Sequence, residues 1–130
     1  MIGIGEPTMY AYDFRHDLNL LDIRWTGLFT PELATRYARE LVDAFRRSGF
    51  RPGYRLRIDM SDITVQPREA IMTVHECLRD FPRASRIAMI NRSAIGRQQI
   101  ARLMTQPYLR VFDRAEDSLG WLTAPEEVAA

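Results

Sequence analysis

Arg86-Ile87-Ala88-Met89-Ile90-Asn91 is the run that decides the fold class. Four apolar residues follow one another between an arginine and an asparagine, so an extended segment here is apolar on both faces. A strand of that kind belongs inside a parallel sheet, where crossover helices bury it. The flanking segments supply the helices. Upstream, Pro67 opens a helix whose apolar stripe is Ile71, Val74, Leu78 and Phe81, with Pro82 just past its end. Downstream, Ser93 caps a helix running through about Thr105, with Ile100, Leu103 and Met104 turned inward, and Gln106-Pro107 breaks it.

Reading outward extends the same alternation. Leu109 to Phe112 is a last strand. Asp113 with Glu116 three residues later resembles a capping box; it opens a final short helix carrying Ala115, Leu119 and Leu122, and Thr123 to Ala130 reads as a frayed tail. Toward the other end, Tyr54 to Asp59 is a strand with Tyr54, Leu56 and Ile58 inward and Arg55 and Arg57 outward. Thr30-Pro31-Glu32 starts a helix with a Thr cap, a proline at the first helical position and an acid in the first turn. Leu33, Tyr37, Leu41, Ala44 and Phe45 form its apolar face, and Ser48-Gly49 stops it. Tyr10 to His16 and Leu20 to Thr26 alternate apolar with polar residues on either side of a turn at Asp17 to Asn19, the pattern of an antiparallel hairpin. The predicted order is β-β-α-β-α-β-α-β-α. This is an α/β chain with a mixed, mostly parallel five-stranded sheet, residues 1–130 forming one domain with an ordered core of about 10–122.

Composition narrows the function classes. The 130 residues carry 18 basic and 17 acidic side chains, a net charge of +1 that argues against a nucleic-acid partner. All the basic residues are arginine, scattered along the chain as a GC-rich coding sequence would place them. Cys77 is the single cysteine, so no intrachain disulfide and no Cys-rich zinc site is expected. Met1 to Met9 lacks the charged start and apolar run of a signal peptide, and no stretch approaches the roughly 20 apolar residues of a membrane span. The expectation is a cytoplasmic protein without membrane insertion.

Three segments carry a family resemblance. They are Ile23-Arg24-Trp25-Thr26-Gly27 followed by Thr30-Pro31-Glu32, then Arg57-Ile58-Asp59-Met60-Ser61-Asp62-Ile63, then Val111-Phe112-Asp113 leading through Ala115 to Gly120-Trp121-Leu122. Together they resemble the STAS-like superfamily of sulfate transporters and anti-sigma-factor antagonists, and within it the SpoIIAA-like group of small bacterial proteins. The likeness spans about Tyr10 to Leu122. It implies a right-handed β-α superhelix with strands in near-sequential order and helices mainly on one side. The second segment is similar to the family's D-L-S-x-V turn, with Ser61 at its structural serine. Where the antagonists place a phosphorylated serine, this chain has Pro67-Arg68-Glu69-Ala70, so no phospho-switch is expected there. The group is also similar to lipid carriers of the Sec14 type, which brings a small apolar ligand into view.

Two surfaces emerge as candidates. Asp59, Ser61 and Asp62 lie at the carboxyl end of one strand, and Asn91, Arg92 and Ser93, with Gly96 beyond, lie between the next strand and its helix. Open α/β sheets place ligands at such ends, although Asp and Ser there equally form local turns. The second surface is the sheet face opposite the helices. It carries Asp22, Arg24, Arg55, Arg57, Ala88, Ile90 and Phe112, charged on one half and apolar on the other. Left open, it would make a protein contact; covered by a loop or by the N-terminal segment, Met1 to Met9, it would not. His16 and His75 are too far apart for a metal site, and His75 and Cys77 face different ways on a helix. No cofactor is expected. The leading expectation is therefore a non-enzymatic interaction module that contacts a protein partner or dimerises with itself. Its alternative is a carrier of a small apolar ligand walled by Trp25, Phe45, Met72, Met89, Met104 and Trp121.

Overall fold

The computed structural model describes residues 9–125. The N-terminal segment before Met9 and the last five residues of the tail lie outside the described residues.

A hairpin begins the fold. Strand β1 (Tyr10–Arg15) pairs antiparallel with β2 (Leu20–Trp25), Tyr12 opposite Ile23. The turn between them closes with Asn19 at a φ of 50°, a left-handed conformation that asparagine tolerates. Helix α1 (Pro31–Ser48) starts as its sequence dictates: Thr30 accepts a hydrogen bond from the Leu33 N–H, and Gly49 ends the helix at a φ of 80°. Strand β3 (Arg55–Asp59) lies parallel to β2, helix α2 (Arg68–Cys77) leads to β4 (Arg86–Ile90), and helix α3 (Ala94–Leu103) leads to β5 (Leu109–Phe112). The sheet order is β1-β2-β3-β4-β5, so the mixed, mostly parallel sheet expected from sequence is present. Helix α4 (Ala115–Thr123) ends the described elements.

Sequential strand order explains where the helices go. Each of α1, α2 and α3 links one parallel strand to its next neighbour in the same direction. Right-handed crossovers then put all three on one face. There they cover Leu21, Ile23, Ile58, Ile87 and Met89. Among the described residues no strand follows α4, so no crossover rule holds it to that side.

Helix α4 instead packs on the opposite face and corrects the open-face expectation. Ala88 and Ile90 have no exposed surface at all, and Leu20, Ala88 and Leu122 form a second small core with Phe112, Leu119 and Trp121 against it. The apolar half of that face is therefore not an interface, and the element covering it is α4. Of the arginines expected beside it, Arg55 holds the helix, and Arg86, not among them, does the same. Arg55 donates to the Leu122 and Leu18 carbonyls (2.7 and 2.6 Å), and Arg86 donates to the Trp121 and Ala124 carbonyls (2.6 and 3.0 Å). Carbonyls at a helix C-terminus lack intrahelical partners and carry partial negative charge, so guanidinium groups suit them. Arg57 is bidentate to Asp22 across β2 and β3 (2.9 and 2.7 Å), where the register sets the two residues side by side. Arg24 remains exposed and pairs with Asp62 at 2.7 Å.

Three boundaries differ from expectation. Helix α2 stops at Cys77 rather than near Phe81, because Phe81 precedes a proline and cannot easily stay helical; Leu78 and Phe81 continue in turns, with Phe81 N–H bonded to the Leu78 carbonyl. Helix α3 ends at Leu103, two residues short of Thr105. The capping box at α4 does not form. The N-cap is Arg114, which places Asp113 one residue too early and Glu116 at the second helical position.

The Arg57–Asp22 pair gives a stability prediction. Both side chains are mostly buried, at 14% and 24% exposed. Asp22→Ala leaves the guanidinium without its carboxylate and should lower stability by about 1–2 kcal/mol, less than for a fully buried pair. A urea melt reads this as a lower midpoint with an unchanged slope. An unchanged midpoint would show that water replaces the carboxylate at no cost.

Candidate functional site

The side chains that α1, α2 and α3 turn toward the sheet do not fill the space between them. A cavity of about 390 Å³ remains. Its floor is sheet (Leu21, Ile23, Leu56, Ile58, Ile87, Met89), and Tyr37, Leu41, Ile71, Val74, Ile100 and Leu103 form its walls. Helices α2 and α3 are short, ten residues each, against eighteen in α1, and both contribute to the lining. Cores normally leave no void much larger than a water molecule. A cavity this size falls in the range of ligand pockets.

A polar lock lies at the carboxyl ends of the strands, with Gln99 also in the cavity lining. Gln66 is buried; its Oε1 accepts from the Phe29 N–H (2.9 Å) and its Nε2 donates to the Gly27 carbonyl (2.7 Å). Gln99 on α3 exchanges two bonds with the Gln66 backbone, accepting from its N–H (3.0 Å) and donating to its carbonyl (2.6 Å). Asn91, also buried, donates to the Thr64 carbonyl (3.1 Å) and accepts from the Ser93 N–H (2.9 Å). Three connections and the start of α3 are thus tied together. At the other end, the Tyr54 hydroxyl donates to the Pro82 carbonyl (2.8 Å).

The wall is chemically uneven. Burial raises the Tyr37 phenol well above its ordinary pKa and lowers that of His75, so both are uncharged at neutral pH. The charged groups in the lining are Arg79 and Arg83, both exposed; no carboxylate contributes to it. Trp25 faces the Tyr37 hydroxyl, which hydrogen-bonds with it, whereas Gln106 Oε1, on another lining residue, is buried without a hydrogen-bond partner among the described residues. Of the walls expected from sequence, Trp25, Met89 and Met104 are in place. Phe45 sits in the core outside the cavity, Met72 is exposed, and Trp121 lies across the sheet on α4.

The expected polar site divides in two. Asp59, Ser61 and Arg92 meet in a surface cleft of about 430 Å³ with Arg24, Asp113, Arg114, Ala115 and Glu116, outside the carboxyl ends of the strands. Asp59 Oδ1 there accepts from both the Ser61 N–H and hydroxyl, an Asx-type turn, and Asp62 is engaged with Arg24. Asn91 and Ser93 are not part of the cleft. Asn91 belongs to the lock, and Ser93 caps α3 by accepting from the Gly96 N–H (3.3 Å). Among the described residues, no group of three His, Cys, Asp or Glu side chains could hold a metal ion, and no helix is long and apolar enough to cross a membrane.

Comparison with solved structures decides the architecture. An uncharacterized protein of the DUF3478 family from Shewanella loihica PV-4, described as having a SpoIIAA-like fold, superposes with a TM-score of 0.66. It is 19% identical and matches over 92% of this chain and 99% of its own. The fold is SpoIIAA-like. The resemblance read from the three sequence segments holds at that level. No family model and no curated protein matches the chain.

Sequence reasoning missed Gln66, Phe29 and the two mouth arginines. Gln66 follows Val65 in an irregular stretch with no periodicity, and nothing local marks it as buried. Arg79 and Arg83 flank the Phe81-Pro82 stop and read as ordinary polar residues around a helix end.

Proposed function

We propose that the protein holds a small apolar ligand in the cavity between its sheet and helices α1 to α3. The observation that carries this reading is the apolar, ligand-sized void of about 390 Å³ in an otherwise packed SpoIIAA-like core. The unpartnered Oε1 of Gln106 adds support, since a buried group of this kind ordinarily finds a partner and this one stands in the wall. The ligand is held and released unchanged, in a non-enzymatic role. An interaction module working through the open sheet face loses support, because α4 occupies the apolar half of that face. Any protein contact or self-association would use another surface, such as exposed Leu28 and Ile95.

The test is calorimetric titration with decanol, alongside native mass spectrometry of freshly purified protein. Wild type should bind one equivalent. Val74→Phe, which adds a ring to a buried wall position on α2, should remain folded and bind at least tenfold more weakly, in line with loss of several methylene contacts. Absence of any decanol heat in wild type, together with a bare mass, would overturn the reading.

A further inference from the structure

The charges at the cavity are all of one sign. The chain as a whole is balanced, with 18 arginines against 17 acids. The cavity lining has Arg79 and Arg83 and no Asp or Glu. Glu76 and Asp80 are close in sequence but do not line it. Neither arginine makes an ion pair with a carboxylate among the described residues, although Arg24 and Arg57 both do. His75, also in the lining, is neutral at pH 7 and adds no charge.

Both arginines are exposed, so the lining reaches water where they stand. They border the turn that carries Phe81 and Pro82, at the amino end of β4. The Arg83 guanidinium lies 5.6 Å from the centre of the Tyr108 ring, just before β5, although Tyr108 itself does not line the cavity. Gln106, two residues before Tyr108, does line it. The Gln66–Gln99 lock lies toward the carboxyl ends of the strands, away from the two arginines. The part of the lining that the arginines occupy is wet and positive.

We infer that the ligand is an anionic amphiphile, with a short to medium apolar chain inside the cavity and a carboxylate or phosphate head between Arg79 and Arg83. This rests on the cavity being a ligand site. An apolar compartment favours the chain, and the planar donor fork of arginine favours the two oxygens of a carboxylate or phosphate. A cavity of about 390 Å³ is near the lower end of ligand pockets, which limits the chain length. Arg79 and Arg83 are the specificity-determining residues. They select the acid over an uncharged compound of equal length.

The experiment compares decanoate, decyl phosphate and decanol by calorimetry on wild type, on R79Q/R83Q with each single variant, and on a control R46Q/R47Q, whose changes lie on the exposed last turn of α1. Wild type should bind at least one of the two anions about tenfold more tightly than decanol, the scale of a charge-assisted contact reduced by exposure. The tighter anion identifies the head. R79Q/R83Q should lose that preference with decanol affinity unchanged, and R46Q/R47Q should keep it. The preference should also shrink as salt rises. Equal binding of anions and alcohol, or a preference that survives R79Q/R83Q, overturns the head-group assignment and leaves the cavity reading standing. No binding of any of the three overturns both. A loss of preference in R46Q/R47Q also overturns the assignment, because it would trace to general charge.

Discussion

Phe29→Ala is expected to lower stability by about 3–5 kcal/mol, a large share of the total for a domain of this size. The residue sits in a connection between β2 and α1, where substitutions are usually tolerated. Here the connection is core. Phe29 is 2% exposed and its ring lies 4.6 Å from Trp25, 5.6 Å from Tyr37 and 5.9 Å from Tyr10, centre to centre. Truncation removes the ring from three aromatic partners and leaves a void that the locked backbone cannot collapse, because the Phe29 N–H is held by Gln66. Phe29→Leu should recover most of the loss. Urea denaturation checks both, and a Phe29→Ala loss under 1 kcal/mol, on the scale of ordinary surface changes, would show that the loop relaxes into the space.

Gly96→Ala should destabilise by about 2–3 kcal/mol although it sits in a helix, where alanine is ordinarily better than glycine by about 1 kcal/mol. A Cβ there would lie 2.2 Å from the Thr64 carbonyl oxygen and 2.3 Å from Asn91 Nδ2. Neither can move freely, since the two are hydrogen-bonded to each other and Asn91 also holds the Ser93 N–H. The methyl group must break the bond or push α3 off the sheet. Gly120 on α4 is the control: nothing lies within 4 Å of a Cβ there, so Gly120→Ala should stabilise by roughly 0.5–1 kcal/mol. The opposite signs of the two changes are the measurement. Stabilisation by both would mean that the Asn91–Thr64 contact gives way without cost.

Gly96 also shows how far sequence reading extends. In the sequence it stands only as a residue near the start of a helix, beside a candidate polar site. Its actual neighbour is the side chain of Asn91, five residues earlier, and the carbonyl of Thr64, in another connection. Helix α1 is the opposite case. Thr30, Pro31, Glu32 and Gly49 specify both of its ends, and the structure has it within those limits, because caps act through bonds between residues close in the chain.

The same distinction covers the whole protein. Strands, their alternation, the parallel sheet and the three crossover helices were determined by the sequence alone, since each follows from periodicity of 2 or 3.6 and from short-range capping. The SpoIIAA-like order followed from those elements. Only the tertiary structure decided which face α4 covers, because among the described residues no later strand constrains it. It also decided that Arg55, expected at an interface, binds a helix carbonyl, as Arg86 does. The cavity is of this second kind as well. A void is the space left where side chains from separate elements fail to meet, and no local pattern in a chain records it.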